Sequence, residues 1–182
     1  MSTDATGAPG ADAAATPDDL TAASRRLLEE VFNTGNTALA DELIAADAVN
    51  HDPALPEALR TLRGPAALKQ TVATYRAAFP DVRMTVDDAV REGDTVVLRW
   101  HAEGTHRGEL AGLAPTGGRV TVTGISIDEW KDGKIVEAWV EWDNLGLARQ
   151  IGAAPPEGSI PDKIAIAVQR LLARRMRGRA QG

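Results

Sequence analysis

The spacing of the apolar residues changes once along this chain, and that change limits the folds available to it. Before about residue 82, apolar residues recur every three or four positions, which is the spacing of one face of an α-helix. After that point, apolar and polar residues alternate in "VRMTVDDAVREGD", "TVVLRWHAEGTHRG", "GRVTVTGISIDEW" and "IVEAWVEWD", as they do in half-buried strands. Helices followed by a run of strands predict an α+β fold, with the helices packed on one face of a curved antiparallel sheet.

Three helices are predicted before the strands. The first begins at "TPDDL", where Asp18 or Asp19 can cap it, and ends at "NTGN", because Gly35 adopts a left-handed backbone at little cost. "TALADELIA" predicts a short second helix, and "RGPAALKQTVATYRAAFP" predicts a third with Pro65 in its first turn. A further short helix, "NLGLARQIG", follows the last strand.

Both ends of the chain differ in composition from the middle. Residues 1–17 are rich in Ala, Gly, Thr, Asp and Pro, which predicts a disordered and dispensable leader before a domain at 18–153. Residues 154–182 predict a linker and a basic amphipathic helix. Its arginines would meet an anionic surface or partner, or its apolar stripe would dock on the protein, which is the interpretation we favour. The arginines are Arg170, Arg174, Arg175, Arg177 and Arg179.

Composition excludes several classes of function. The formal net charge of −6 argues against a nucleic-acid binder, and the absence of cysteine excludes disulfides, thiol catalysis and sulfur-ligated zinc. With only three histidines, a His-rich metal site is not expected. No apolar run approaches the roughly 18 residues of a membrane span, and no signal peptide is visible, so we expect a cytoplasmic protein.

The segment "EAWVEWDNLG" predicts part of a pocket. Val140 and Trp142 share one face of the strand, while Trp139 shares the other with two glutamates, and Asp143 ends the strand. Trp142 would line the pocket with Asp143 at its mouth, where partial burial raises the pKa of a carboxyl and suits it to act as a base. The alternative is that Asp143 only caps the next helix. An exposed Trp139 predicts a homodimer contact through the sheet face.

Several segments together resemble one family. They are "VFNTGNTALADELIAADAVNHDP", "AAFPDVRMTVDDAVREGDTVVLRWHAEGTHRGEL", "APTGGRVTVTGISI" and "DGKIVEAWVEWDNLGLARQIG". In this order they resemble the SnoaL-like polyketide or ester cyclases of the nuclear-transport-factor-two-like superfamily. The resemblance covers roughly residues 20–152. It implies a cone-shaped α+β barrel with a deep apolar pocket, and ring closure by intramolecular aldol condensation with neither metal nor organic cofactor.

The resemblance also locates a departure from the family. Family cyclases use an Asp on the last strand together with a His on the strand before it. Those positions fall at Val140 and Ser126, so this chain lacks the carboxylate–imidazole pair. Either the acid and base have moved to other residues, or the chain does a different job.

The remaining candidates come from three segments. His106 follows a Gly-Thr step that could bend the strand and turn the imidazole inward, so His106 and Asp143 are the candidate catalytic residues; His106 could equally be an exposed strand end. His51 could contact substrate or make only a local hydrogen bond in the turn "NHDP". The candidate substrate-binding residues are Asn50, His51, Trp100, Ser126 and Trp142.

Two functions remain open on the sequence. One is a cofactor-free cyclase or isomerase that acts on an apolar, polyketide-like small molecule; the other is a non-catalytic ligand-binding or scaffolding module. An epoxide hydrolase would need an Asp–Arg–Asp relay in the pocket, and Arg99 is predicted on the opposite strand face, beside His101. Two or more titratable groups in the pocket would favour an enzyme, and a purely apolar pocket would favour binding.

Overall fold

A computed structural model describes residues 17–55 and 57–179 of the protein. The predicted leader therefore lies outside the described residues, apart from Pro17. The elements in chain order are α1 (Pro17–Thr34), α2 (Ala38–Leu43), β1 (Ile44–His51), α3 (Glu57–Arg60), α4 (Gly64–Ala78), β2 (Arg83–Glu92), β3 (Thr95–Thr105), β4 (Arg119–Lys131), β5 (Lys134–Trp142), α5 (Asn144–Gln150) and α6 (Ile160–Arg179).

The five strands form one mixed sheet in the order β1-β5-β4-β3-β2. Strands β2 to β5 pair with one another antiparallel, whereas β1 runs parallel to β5 at the edge of the sheet. The α+β prediction is confirmed, with two corrections: the sheet is not wholly antiparallel, and with β1 and β2 as its two edges it does not close into a barrel. Irregularities in register between Val86 and Asp88 and between Glu129 and Trp130 interrupt the ladders, as β-bulges do where strands bend.

The periodicity change predicted near residue 82 is confirmed, because β2 begins at Arg83. The predicted end of the first helix is also confirmed: Gly35 follows α1 with φ +77°, and its N–H donates to Val31 O at 3.1 Å. Pro65 lies in the first turn of α4. A backbone N–H there would have no partner within the helix, so the proline costs no hydrogen bond.

The predicted second helix is too long, because α2 ends at Leu43 and Ile44 begins β1. The physical reason lies in the neighbouring strand rather than in the segment itself. Main-chain groups of β1 pair with the edge of β5, and Lys134 Nζ at the start of β5 donates to Asp41 O at 3.1 Å and Glu42 O at 2.7 Å. These bonds satisfy carbonyls at the end of α2 that a longer helix would have used itself.

The helices cover one face of the sheet and build the main core with it. Leucine, valine and phenylalanine side chains of α1 and Val72 of α4 pack against Val96, Leu98 and Trp100 of β3, all of them almost fully buried. Burial on this face and exposure on the other follow from the alternation of side chains along each strand. The same alternation decides which polar side chains face the helices.

The C-terminal helix α6 does not dock on the rest of the protein, so the favoured interpretation of residues 154–182 is wrong for the described part of the chain. Its large apolar residues Ile160, Ile164, Val168, Leu171 and Leu172 are each more than half exposed. Within residues 17–55 and 57–179, no helix has the length and apolar character needed to cross a membrane.

Candidate active site

A cavity of about 180 Å³ lies between the inner face of the sheet and the helices. Most of its wall is apolar, because the alternating strands direct Leu98, Ala102, Val122 and Val140 toward the helices. A few polar residues interrupt that wall: Ser24, Asn50, Asp52, Thr71, Tyr75, Glu103, Ser126 and Asp128. Among the described residues, no Lys, Arg or His lines it. The wall thus combines an apolar surface with carboxyl and hydroxyl groups, and carries no fixed positive charge.

One end of the cavity is formed by Trp142, Tyr75 and Asp52. The rings of Tyr75 and Trp142 meet edge to face, with centroids 6.0 Å apart and planes at 87°. Asp52 is only 6% exposed, and its Oδ1 accepts a hydrogen bond from the N–H of Ala54 at 2.9 Å while Trp142 donates another. A buried carboxyl at this end is therefore bonded to Trp142 and near enough to Tyr75 for its charge to act on the phenol.

The surroundings of Asp52 raise the pKa of its carboxyl. Burial is the largest cause and the charge of Glu141 adds to it, while the hydrogen bonds from Ala54, Trp142 and Leu55 act in the opposite direction. The same burial, together with the charge of Asp52, raises the pKa of Tyr75 to about 12. Tyr75 is therefore a neutral phenol that can donate a hydrogen bond, and Asp52 has the character of a base suited to pH values nearer neutrality than an ordinary Asp.

The wall formed by β4 carries the other polar groups. Trp100 Nε1 donates to Ser126 Oγ at 2.9 Å, and both residues are buried. Because an indole N–H can only donate, Ser126 is the acceptor and its own hydroxyl proton is free to bond another group. Two residues further on, Asp128 is 8% exposed, and burial raises the pKa of its carboxyl to about 6 against the opposing effect of a hydrogen bond from Ser24.

Gly124 allows Trp100 to lie across the sheet. A Cβ added at Gly124 would stand 2.3 Å from Trp100 Cζ2, which is far inside van der Waals contact. We therefore expect Gly124→Ala to displace the indole, break its bond to Ser126 and cost about 1–3 kcal/mol of unfolding free energy. Urea unfolding measures this loss, with Thr123→Ala on the exposed face of the same strand as control. Equal stability of the two variants would contradict the packing described.

The structure places four of the predicted residues in the cavity wall, namely Asn50, Trp100, Ser126 and Trp142. The positions at which the family resemblance implies a His–Asp pair are directly opposite each other on β4 and β5, since Ser126 pairs with Val140, and both line the cavity. The missing pair would therefore have pointed into this space.

Asp143 is not part of the cavity wall. Its side chain is exposed, and Oδ1 accepts a hydrogen bond from the N–H of Gly146 at 2.7 Å at the start of α5. The arrangement matches the capping interpretation of Asp143 rather than its prediction as a pocket base. Trp142 points into the cavity at the end of the strand, so the next side chain turns away from it and is placed to cap α5.

His106 is neither an exposed strand end nor a lining residue. It is completely buried, with its ring 5.3 Å from that of Phe79, and its Nδ1 accepts a 3.4 Å hydrogen bond from the N–H of Thr116. Its Nε2 is buried without a hydrogen-bond partner among the described residues. The ring packs behind Phe79, which itself lines the cavity, so the predicted inward swing is not seen.

His51 lies on the outer face of the sheet, which corrects its predicted place in the pocket. Its ring stacks on Trp139 with centroids 5.0 Å apart, and Nε2 lies 2.7 Å from Glu137 Oε1. The cause is alternation along β1: Asn50 lines the cavity, so the following side chain points away from it. Parallel pairing then sets His51 beside Trp139 on β5.

The outer face around Trp139 remains the predicted dimer contact. If the protein is a homodimer that buries more than about 1,000 Å² through this face, Trp139→Glu should produce folded monomers, because burying a charge in the contact costs free energy and the apolar contact of the indole is lost. Light scattering at micromolar concentration measures the change, with Leu145→Glu as control because Leu145 is 56% exposed on α5. A wild-type protein that is already monomeric would contradict the prediction.

Sequence reasoning missed three cavity residues: Asp52, Tyr75 and Asp128. Asp52 follows Asn50 by two positions, so it shares that inward face, but the segment "NHDP" was predicted as a turn after the second helix rather than as the end of a strand. Asp128 could have been predicted from the sequence, since the alternation in "GISIDEW" places it on the same face as Ser126 and Trp130. Tyr75 carries no local signal, because a tyrosine on an amphipathic helix is more often a core residue.

The described residues of the cavity form neither an epoxide-hydrolase relay nor a metal site. Arg99 pairs with Asp87 and Asp88 on the exposed outer face, so it does not form an Asp–Arg–Asp relay in the cavity. Within the part of the chain that the structure describes, no group of three or more His, Asp and Glu side chains is placed to hold a metal ion.

Comparisons with known proteins agree on one family. A model of the SnoaL-like polyketide cyclases matches residues 22–151. The aklanonic acid methyl ester cyclase AcmA of Streptomyces galilaeus is 34% identical over 140 residues, which cover 75% of this chain and 92% of that protein. The nogalonic acid methyl ester cyclase of Streptomyces nogalater is 34% identical over 128 residues, or 69% and 92% of the two chains. The solved structure of IdmH from Streptomyces antibioticus superposes with a TM-score of 0.62 at 34% identity. The match covers 73% of this chain and 98% of IdmH.

Proposed function

Because the chain belongs to the SnoaL-like polyketide cyclase family, we propose that it closes a carbon ring in an apolar, polyketide-like molecule by an intramolecular aldol reaction. The acid and base are its own side chains, with no cofactor taking part. The observation that carries the proposal is Asp52, a buried carboxyl of raised pKa that is hydrogen-bonded to Trp142 in a largely apolar cavity.

The first step is removal of a proton from a carbon next to a carbonyl. Ionised Asp52 takes this proton, and the raised pKa of its carboxyl makes it a stronger base than an exposed Asp. The electron pair left behind spreads onto the carbonyl oxygen as an enolate. The free hydroxyl proton of Ser126 and the phenol of Tyr75 are the neutral donors that can stabilise this oxygen in a cavity of low polarity.

Ring closure follows when the enolate carbon attacks a second carbonyl carbon of the same molecule. A carbon–carbon bond forms, and the second carbonyl oxygen becomes an alkoxide that takes up a proton. The apolar wall keeps the substrate folded on itself and limits water, which raises the effective concentration of one carbonyl arm near the other. On this proposal Asp52, from the turn after β1, supplies the carboxylate that family cyclases carry on the last strand.

The charge of the cavity points to a neutral substrate. Carboxyl side chains line the cavity without a lysine, arginine or histidine among the described residues, so a substrate carboxylate would be repelled there. Repulsion between two like charges about 8 Å apart is on the order of 2 kcal/mol in a partly buried site, which corresponds to about 30-fold. The two relatives are named for methyl esters, in which this negative charge is absent.

Turnover of a matched ester and acid tests the proposal. We expect ring closure of aklanonic acid methyl ester or nogalonic acid methyl ester, with kcat/KM about 30-fold higher than for the corresponding free acid, for the electrostatic reason given above. Product formation is followed by liquid chromatography with mass detection, against a control without enzyme. Absence of turnover for both esters would overturn the proposed activity on these substrates, and an equal rate with the free acid would overturn the charge argument alone.

A non-catalytic binding module is the second candidate, because Ser126 and Val140 stand at the positions where the family resemblance implies an acid/base pair. Trp100 and Trp142 in the wall give a direct signal of binding, since a bound aromatic ligand changes their fluorescence. Saturable quenching by a methyl ester, without any product, would favour the binding module. Quenching accompanied by product would favour the cyclase.

A further inference from the structure

We propose that Asp128 is the second catalytic carboxyl of this cavity and donates the proton that the new alkoxide takes up, an inference that rests on the proposed ring closure. An aspartate on the inward face of a central strand is unusual, because such positions pack against apolar side chains. Asp128 nevertheless faces the cavity, as do Ser126 before it and Ser24 of α1 opposite it.

The position of Asp128 relative to Asp52 suits an acid and a base that act on one substrate. On β5, the cross-strand partners of Gly124, Ser126 and Asp128 are Trp142, Val140 and Ala138. Asp52 bonds to Trp142 and Asp128 stands opposite Ala138, so the two carboxyl groups approach from opposite sides of the Ser126–Val140 pair. Trp142 and Ala138 are about 13 Å apart along the strand, so the two carboxyl groups enter the cavity at different points and can reach different atoms of one substrate.

Asp128 is held by a short chain of hydrogen bonds. Trp130 Nε1 donates to Ser24 Oγ at 3.1 Å, and Ser24 makes a side-chain hydrogen bond to Asp128. Because Trp130 occupies an acceptor site of Ser24, the serine proton is directed to the carboxyl. A carboxyl can make several hydrogen bonds. The bond to Ser24 therefore orients the Asp128 carboxyl and leaves it able to bond to a substrate as well.

No positive charge compensates Asp128. Its neighbours on the adjoining strands are Val96 of β3 and Ala138 of β5, and α1 presents the uncharged Ser24. The other titratable groups of the cavity, Asp52, Tyr75 and Glu103, are not among the causes that shift its pKa. Burial alone therefore favours the protonated form and brings the pKa of this carboxyl to about 6, so that it can hold and release a proton near neutral pH.

The proton balance of the step is complete with these two groups. Asp52 accepts the proton from the C–H bond that breaks, and protonated Asp128 gives its proton to the alkoxide oxygen formed when the carbon–carbon bond closes. The product leaves with one new hydroxyl group. Asp52 then carries a proton that Asp128 lacks, and proton exchange with water after the product has left restores both groups.

A pH profile of turnover separates this role from a structural one. With the methyl ester assay described above, the wild-type rate should fall about tenfold per pH unit above pH about 6, because the donor loses its proton there. Asp128→Asn should lower the rate at pH 6 by about a hundredfold and abolish that decline. Glu129→Gln, on the exposed face of the same strand, is the matched control and should keep the wild-type profile.

A second variant tests the same role independently, in case Asp128→Asn does not fold. Ser24→Ala keeps the carboxyl but removes a hydrogen bond that favours its ionised form, so the decline in rate should move to higher pH. If the wild type is active and both variants keep its pH profile, Asp128 is only a structural contact and the inference is wrong. If the wild type turns over neither ester, the proposed function fails first and the donor role fails with it.

Discussion

Replacement of Asp52 by Asn is expected to lower the turnover number by about a hundred- to ten-thousand-fold, with little change in ester binding. Asn has the same shape and keeps an oxygen that can accept the hydrogen bond from Ala54, so the turn after β1 should survive. What it loses is the negative charge that removes the C–H proton. The turnover number is measured under saturating ester, and binding is measured by the quenching of tryptophan fluorescence.

Two further variants make this result specific. Asp47→Asn removes the same charge from an exposed position on β1 and should leave turnover unchanged. Asp143→Asn tests the base predicted from sequence: if its side chain only caps α5, the variant retains turnover because the amide oxygen still accepts from Gly146. A large loss in Asp143→Asn together with an active Asp52→Asn would reverse the assignment.

The second large effect is a dependence of stability on pH that comes from Asp128. Its pKa is about 6 in the folded protein and 3.8 in the unfolded chain, so folding is most favourable when the carboxyl is protonated. The stability that this group contributes is complete below pH 3.8 and is lost as the pH rises through about 6. A difference of roughly two pKa units corresponds to a loss of about 3 kcal/mol.

Asp128→Asn should remove that dependence. Between pH 4.5 and 7.5, the unfolding free energy of the variant should rise relative to wild type by about 2 kcal/mol, because the wild type must ionise a buried group and the variant does not; the rest of the roughly 3 kcal/mol is already lost below pH 4.5. Urea unfolding at both pH values measures the difference, and Glu129→Gln at the exposed neighbouring position is the control. A constant difference between Asp128→Asn and wild type across this range would show that Asp128 is not a buried acid.

The order of helices and strands was readable from the sequence because it depends on local spacing. Alternation from Arg83 onward, Gly35 after α1 and Pro65 in α4 each act within a few residues of themselves. The same alternation correctly put Trp142 toward the helices and Trp139 on the outer face, since successive side chains of a strand point to opposite sides. The family resemblance came from these local segments in order.

The tertiary structure decided which polar groups meet. The chain from Ile44 to His51 is a strand because β5 offers it an edge to pair with, and that pairing turns Asn50 and Asp52 inward and His51 outward. Asp128 has a raised pKa because the segments packed around it bury its carboxyl, against the opposing effect of the hydrogen bond from Ser24, and burial by distant segments cannot be read from the neighbouring residues in the sequence. Local patterns set the elements of this protein. Burial and cross-strand pairing, which join distant segments, decided that Asp52 and Asp128 are the buried carboxyl groups of its cavity.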